Sequence, residues 1–199
     1  TEIGTKIGGS IEDQQESFSD MGMLLILILM LVYIVMAAQF ESLRYPFIIM
    51  FSIPFAFVGL ILSLFLTGIS INLMSLIGGV MLVGIVVKNG IVLVDYINLN
   101  RERGMGISQA VILGGKSRLR PVLMTSLTTI LGMVPMSLGI GEGSELWQPM
   151  GVAIVGGLTV STLVTLVIIP VIYTVFASRE VTSYRKKQAF KFNRRTIKA

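Results

Sequence analysis

The chain contains no cysteine and no histidine among its 199 residues. The first absence removes disulfides and thiolate metal sites. The second removes the commonest metal ligand and the usual near-neutral general base. Hydrolase and zinc chemistry are therefore not expected, and no nucleophile stands beside a base, so the chain does not read as an enzyme. Charge is scarce as well. Only 14% of residues are charged, whereas 53% are hydrophobic and the mean hydropathy is +0.83. Soluble domains carry about 25% charged residues, so this composition points to a membrane protein. A starting Met and a signal-peptide pattern are also missing, and "TEIGTKIGGSIEDQQESFSDMG" reads as the end of an extramembrane segment. The chain is expected to be a C-terminal piece of something longer.

A membrane helix needs about 20 mostly apolar residues. Five segments qualify, at about 21–38, 46–67, 73–97, 121–140 and 149–176. The expected fold is thus an all-α membrane protein of five transmembrane helices. Pro46, Pro121 and Pro149 are placed to open spans, while Pro54, Pro135 and Pro170 fall inside them and are expected to bend them. The linking stretches "QFESLRY", "TGISIN" and "GIGEGSELWQ" are short, which predicts antiparallel neighbours. Residues 107–117 read as a separate interfacial helix at the headgroups, with Ser108 as its cap.

Basic residues set the expected orientation. Arg44, Arg101, Arg103, Lys116, Arg118, Arg120 and the tail from Arg179 to Lys198 fall on one side. The other side holds Lys6 alone, with Glu2, Glu12, Asp13, Glu16, Asp20, Glu142 and Glu145. The N-terminus is expected in the periplasm and the C-terminus in the cytoplasm. The basic tail, 179–199, reads as a juxtamembrane segment drawn to anionic lipid and not as a nucleic-acid arm.

The third span carries "GIVVKNGIVLVDY". Lys88 lies more than about 20 Å along the helix from Leu73, and a lysine at a span centre costs about 2.5–3.5 kcal/mol even on lenient scales. Either Lys88 snorkels to headgroups or Asp95, or it faces a bundle interior and meets a carboxylate on another helix. The apolar "GIVLV" that follows favours the second reading. Asn89 sits beside Lys88. In the fourth span Arg118, Thr125 and Thr129 share a helical stripe, which reads as the wall of a polar path; the bland alternative is back-bonding of the threonines to their own helix. Ser75 and Gly79, and Ala153, Gly157 and Ser161, recur every four residues and predict close helix contacts.

These blocks, with "GKSRLRPVLMTSLTTILGMVP", "GVAIVGGLTVSTLVTLVIIPVIY" and "AAQFESLRYPFIIMFSIPFAFVGL", resemble the last membrane helices of resistance-nodulation-division (RND) transporters, most of all the hydrophobe/amphiphile multidrug efflux branch (AcrB-like). The resemblance covers nearly the whole chain from about residue 20; residues 1–18 are more weakly similar to the end of the second periplasmic porter region. It implies the second half of a twelve-helix bundle in the bacterial inner membrane, residues 19–178 being helices eight to twelve. It also implies a homotrimer, a periplasmic adaptor, an outer-membrane channel and export driven by inward proton flow, with protons as coupling ion and no other cofactor. By motif position Lys88, Arg118 and Thr125 match the family's proton-relay lysine, arginine and threonine, supported by Asn89 and Thr129. The proton-carrying aspartates would lie in the remaining N-terminal part of the transporter. Asp95 is assigned no relay role. The resemblance implies export of hydrophobic or amphiphilic compounds such as drugs. The alternatives are a heavy-metal pump of the same superfamily, to which the 12 methionines, Met124, Met133 and Met136 among them, lend some support, and a non-transporting membrane assembly or translocation subunit.

Overall fold

The computed structural model describes the backbone of residues 2–141 and 143–196 and the side chains of 15–141 and 143–177. The basic tail and the acidic residues Glu2, Glu12, Asp13 and Glu142 lie outside the described side chains. Six helices follow one another: α1 (Glu2–Phe40), α2 (Arg44–Met50), α3 (Ile53–Thr67), α4 (Leu73–Glu102), α5 (Ile107–Ser137) and α6 (Ser144–Thr196). Five stretches are long and apolar enough to cross a membrane: Gln15–Phe40, Arg44–Thr67, Leu73–Glu102, Ile107–Ser137 and Ser144–Ala177. They contain the five expected spans, apart from the end of the fourth, which stops at Ser137.

The second span is broken where its sequence predicts. Helix α2 stops at Met50, Phe51 and Ser52 form a turn, and α3 resumes with Pro54 in its first turn. Proline has no N–H to give to the preceding helix. One residue earlier, the Ile49 carbonyl accepts from the Ser52 hydroxyl at 2.7 Å and from the Ser52 N–H at 3.1 Å. Helix α3 ends on Gly68, whose φ of 70° suits a residue without a Cβ. Helix α4 then starts with a reciprocal cap: Asn72 Oδ1 accepts from the Ser75 N–H at 2.9 Å, and Ser75 Oγ accepts from the Asn72 N–H at 3.0 Å.

The fourth and fifth spans differ from expectation at their starts. Residues 107–117 are not a separate element; α5 runs unbroken through Pro121 to Ser137, and its N-cap is Gly106, not Ser108. Pro149 likewise lies inside α6 and does not open it. A proline inside a helix leaves one carbonyl without its partner, a cost that neighbouring hydroxyls and tertiary packing can offset in a membrane helix.

Paired contacts fix the directions. Ser63 Oγ reaches the Val152 carbonyl at 3.1 Å, while an added Cβ on Gly59 would meet the Gly156 carbonyl at 2.8 Å. Rising numbers in α3 meet falling numbers in α6, so these helices are antiparallel. Helix α5 is antiparallel to both α4 (Gly114 on Ile97, Ser126 on Asn89) and α6 (Ser137 on Gly151, Ser126 on Thr162). Helices α4 and α6 are parallel, with Gly78 against Ala153 and Asn98 bonded to Tyr173. Helix α6 packs against α2, α3, α4 and α5.

Small residues permit these contacts, as the four-residue spacing predicts. Ala153, Gly157 and Ser161 are all buried, and a Cβ on Gly157 would run into Leu82. Gly79 faces Leu60 and Phe57, whereas Ser75 serves as part of the cap. One apolar cluster gathers Met36, Ile48, Ile49, Val87, Leu93, Ile97, Ile169 and Tyr173; a second gathers Ala56, Leu60, Leu82, Val86, Ala153 and Leu158. Most apolar side chains of α1 remain uncovered, including Met23, Ile26, Leu27, Met30, Leu31 and Ile34. Surface of this kind belongs against lipid or further protein.

Candidate functional site

Helix α4 has two chemically different sides at the level of Lys88. Met81, Gly84, Lys88, Asp95 and Leu99 follow one another along an exposed stripe. A Cβ added at Gly84 would meet nothing within 4 Å, so this face is open. Lys88 has no ion-pair partner among the described residues, and Asp95 lies two turns along the same face. An ammonium on an open stripe near the middle of a 30-residue apolar helix needs an anion or water from elsewhere.

The next residue points inward. Asn89 is 9% exposed, and its Nδ2 donates to Ser126 Oγ on α5 at 3.4 Å. Thr162 Oγ1 on α6 donates to the same oxygen at 2.9 Å. Ser126 and Thr162 are buried. Three helices are thus joined by one amide and two hydroxyls deep in an apolar bundle, where a lost partner leaves a polar group without water to replace it. One turn further along α6, Thr165 is 1% exposed and its Oγ1 has no hydrogen-bond partner.

Arg118 is half-buried, and its guanidinium carbon lies 4.5 Å from the centre of the Tyr96 ring on α4. The ring face attracts the cation, an interaction worth about 0.5–2 kcal/mol depending on desolvation. Arg118 Nε is buried without a hydrogen-bond partner. Thr125 is exposed, and its hydroxyl is shared between the Pro121 and Val122 carbonyls, each at 3.0 Å. Thr129 donates to the Thr125 carbonyl at 2.9 Å. The threonine hydroxyls therefore serve their own helix in this structure, and neither reaches Arg118.

The structure thus unites Asn89 with Ser126 and Thr162, and Arg118 with Tyr96. It leaves Lys88, Arg118 and Thr125 without direct bonds to one another. Sequence reasoning missed Ser126, Thr162 and Tyr96. The signal for the first two was present as "TS" in α5 and "STLVT" in α6, polar pairs one helical turn from further hydroxyls within apolar spans. A second polar group closes the far end of α4 and α6. There the buried Tyr173 donates its hydroxyl hydrogen to Asn98 Oδ1, accepts from Arg101 Nη1 at 3.3 Å and stacks on Tyr45 at 5.7 Å. Among the described residues no group of three or more His, Cys, Asp or Glu side chains is placed to hold a metal ion.

Five long apolar helices, three of them bridged by buried hydroxyl and amide contacts, with a lysine on an open face, define a polytopic α-helical membrane protein. Comparison with known sequences narrows the class: residues 1–177 match the AcrB/AcrD/AcrF family. The chain belongs to that family and is a transmembrane part of an RND transporter. It is 38% identical over 187 residues to the swarming motility protein SwrC of Bacillus subtilis, covering 94% of this chain and 17% of SwrC. It is 36% identical over 166 residues to the cobalt-zinc-cadmium resistance protein CzcA of Cupriavidus metallidurans, covering 83% of this chain and 16% of CzcA. In three dimensions it is similar to a heavy metal efflux pump solved by crystallography, with a TM-score of 0.76 and 32% identity over 84% of this chain and 16% of that one. The chain therefore spans about a sixth of the length of these relatives.

Proposed function

We propose that this chain supplies the cationic half of the proton-coupling site of an efflux transporter whose cargo is a heavy-metal cation. The sequence reading put hydrophobic and amphiphilic compounds first and metals second. Likeness to CzcA in sequence and to a heavy metal efflux pump in structure supports the reverse order. The observation that carries the coupling role is Lys88 itself, an ammonium with no ion-pair partner among the described residues, on an uncovered stripe of a membrane-length helix.

In this reading the open face receives the acidic helix of the N-terminal half of the transporter. Ionised carboxylates there pair with Lys88 and offset the cost of keeping its charge out of water. Protonation of a carboxylate weakens the attraction, and α4 settles into a second arrangement. A bundle with two such arrangements converts proton entry into movement of attached domains. Arg118 and Thr125 line the approach. The metal-selecting residues belong to parts of the transporter beyond this chain, since the methionines here, such as the exposed Met124, are ordinary apolar filler. The proposed setting is the inner membrane, with the N-terminus periplasmic, the basic tail cytoplasmic, and a homotrimer joined to a periplasmic adaptor and an outer-membrane channel.

The test uses the full-length transporter in a host lacking its own pumps. Cells are expected to gain tolerance to zinc, cobalt or cadmium, with no gain in dye efflux, and Lys88→Ala is expected to abolish the gain at unchanged membrane abundance. Dye efflux without metal tolerance would restore the drug reading. Normal export by Lys88→Ala would make Lys88 structural.

A further inference from the structure

Two residues assigned to the coupling path, Lys88 in α4 and Thr125 in α5, each have an inward-facing neighbour in sequence, and those neighbours bond to each other. Lys88 is exposed and Asn89 is buried; Thr125 is exposed and Ser126 is buried. Successive residues on a helix are about 100° apart, set by 3.6 residues per turn. The Asn89–Ser126 bond therefore fixes both the rotation and the relative height of the two helices at the level where Lys88 and Thr125 emerge. Thr162 adds α6 to the same point through its 2.9 Å bond to Ser126 Oγ.

We propose that Ser126 and Thr162 are positioning residues for proton coupling: a hydroxyl pair that ties α5 to α6 and, through the Asn89 amide, holds the register of α4 against them and so aims Lys88. This rests on the coupling role proposed for Lys88 and deepens it. The convergence of the contacts supports the assignment. Ser126 Oγ lies within hydrogen-bond distance of two groups at once, one of them the amide of the residue that follows Lys88. Both hydroxyls are buried in apolar surroundings, where no solvent competes for them. Packing alone does not require this chemistry, since alanine and valine would fill nearly the same volumes. By contrast, the hydroxyl of Thr125 is bonded to its own helix and sets nothing between helices.

Thr162→Val keeps the side-chain shape and removes the hydroxyl; Thr162→Ser keeps the hydroxyl. In the full-length transporter, Thr162→Val and Ser126→Ala are each expected to lower kcat for proton-coupled export by about threefold to tenfold, the range one buried hydrogen bond supports. KM for the metal cargo should stay within about twofold, because cargo binds elsewhere. Thr162→Ser should restore most of kcat, and the double variant should be little worse than either single one, since the two hydroxyls act as a unit. Membrane abundance and thermal stability are measured for each. Unchanged kcat in Thr162→Val and Ser126→Ala, with Lys88→Ala inactive, would overturn the positioning role alone. Full activity in Lys88→Ala would overturn the coupling reading beneath it. Loss of kcat that Thr162→Ser fails to restore would also overturn the proposal, by assigning the effect to packing.

Discussion

Lys88 and Thr125 carry different amounts of electrostatic work. Truncating Lys88 in the full-length transporter removes a full charge from a low-dielectric region and leaves any carboxylate opposite it unpaired, a change worth about 3–5 kcal/mol when a buried pair is broken. Thr125→Ala removes one hydroxyl whose bonds go to carbonyls of its own helix. It is expected to reduce export severalfold where Lys88→Ala abolishes it, read as initial rates in proteoliposomes under an imposed proton gradient. Tyr96 provides a further contrast. Tyr96→Phe keeps the ring that faces Arg118 and should keep activity; Tyr96→Leu removes the π face and should lower the rate by about twofold to fivefold, in line with a cation–π contact of about 0.5–1 kcal/mol. Equal effects of the two substitutions would deny the ring a role. At this scale the sequence was legible where charge was anomalous. Lys88 stood out because a lysine is costly in that position. Ser126 and Thr162 did not, because buried hydroxyls usually bond to their own helix, and only the packing of three helices shows that these two bond across.

Helix positions followed from apolar length, but the starts of the fourth and fifth spans did not. Pro121 and Pro149 look like first-turn residues on their own, yet both lie within longer helices. The tertiary setting overrides that local preference. Pro54, by comparison, does coincide with an interruption between α2 and α3, although Phe51 and Ser52 keep right-handed helical dihedrals there. Small-residue spacing was a sounder guide than proline. The contact between α3 and α6 depends on Gly59 and Gly156, for a Cβ on Gly156 would collide with Ser63 and approach the Gly59 carbonyl at 2.9 Å. Overpacking of this kind costs about 1–3 kcal/mol. Gly156→Val should lower the melting temperature of the detergent-solubilised protein clearly, whereas Gly115→Ala, with nothing within 4 Å of the added carbon, should leave it unchanged or raise it slightly. If both variants melted like the parent, the close approach would have no energetic meaning.

For the whole molecule, the all-α membrane class and the family were legible because spans and motifs are local in sequence. The partner proposed for Lys88 was not, because the chain covers about a sixth of its relatives and the face of α4 that bears Lys88 is open. Orientation is a property of this scale and is open to direct test. In the full-length transporter with its other cysteines removed, Ser70→Cys in the loop between α3 and α4 should react with a membrane-impermeant thiol reagent applied from the periplasmic side. Arg103→Cys, beyond the end of α4, should react only after the membrane is permeabilised. Reversed labelling would invert the topology and with it the direction of proton flow through the proposed path.

The glycine contact between α3 and α6 also has a mechanical consequence. Backbones that touch without side chains between them have no cushion of rotamers to absorb a displacement. Sliding one past the other by a turn would drive Val160 and Ser63 through the opposing main chain, so the two helices are expected to travel as one strut. Any rearrangement set off at Lys88 is then left to the joints around that strut.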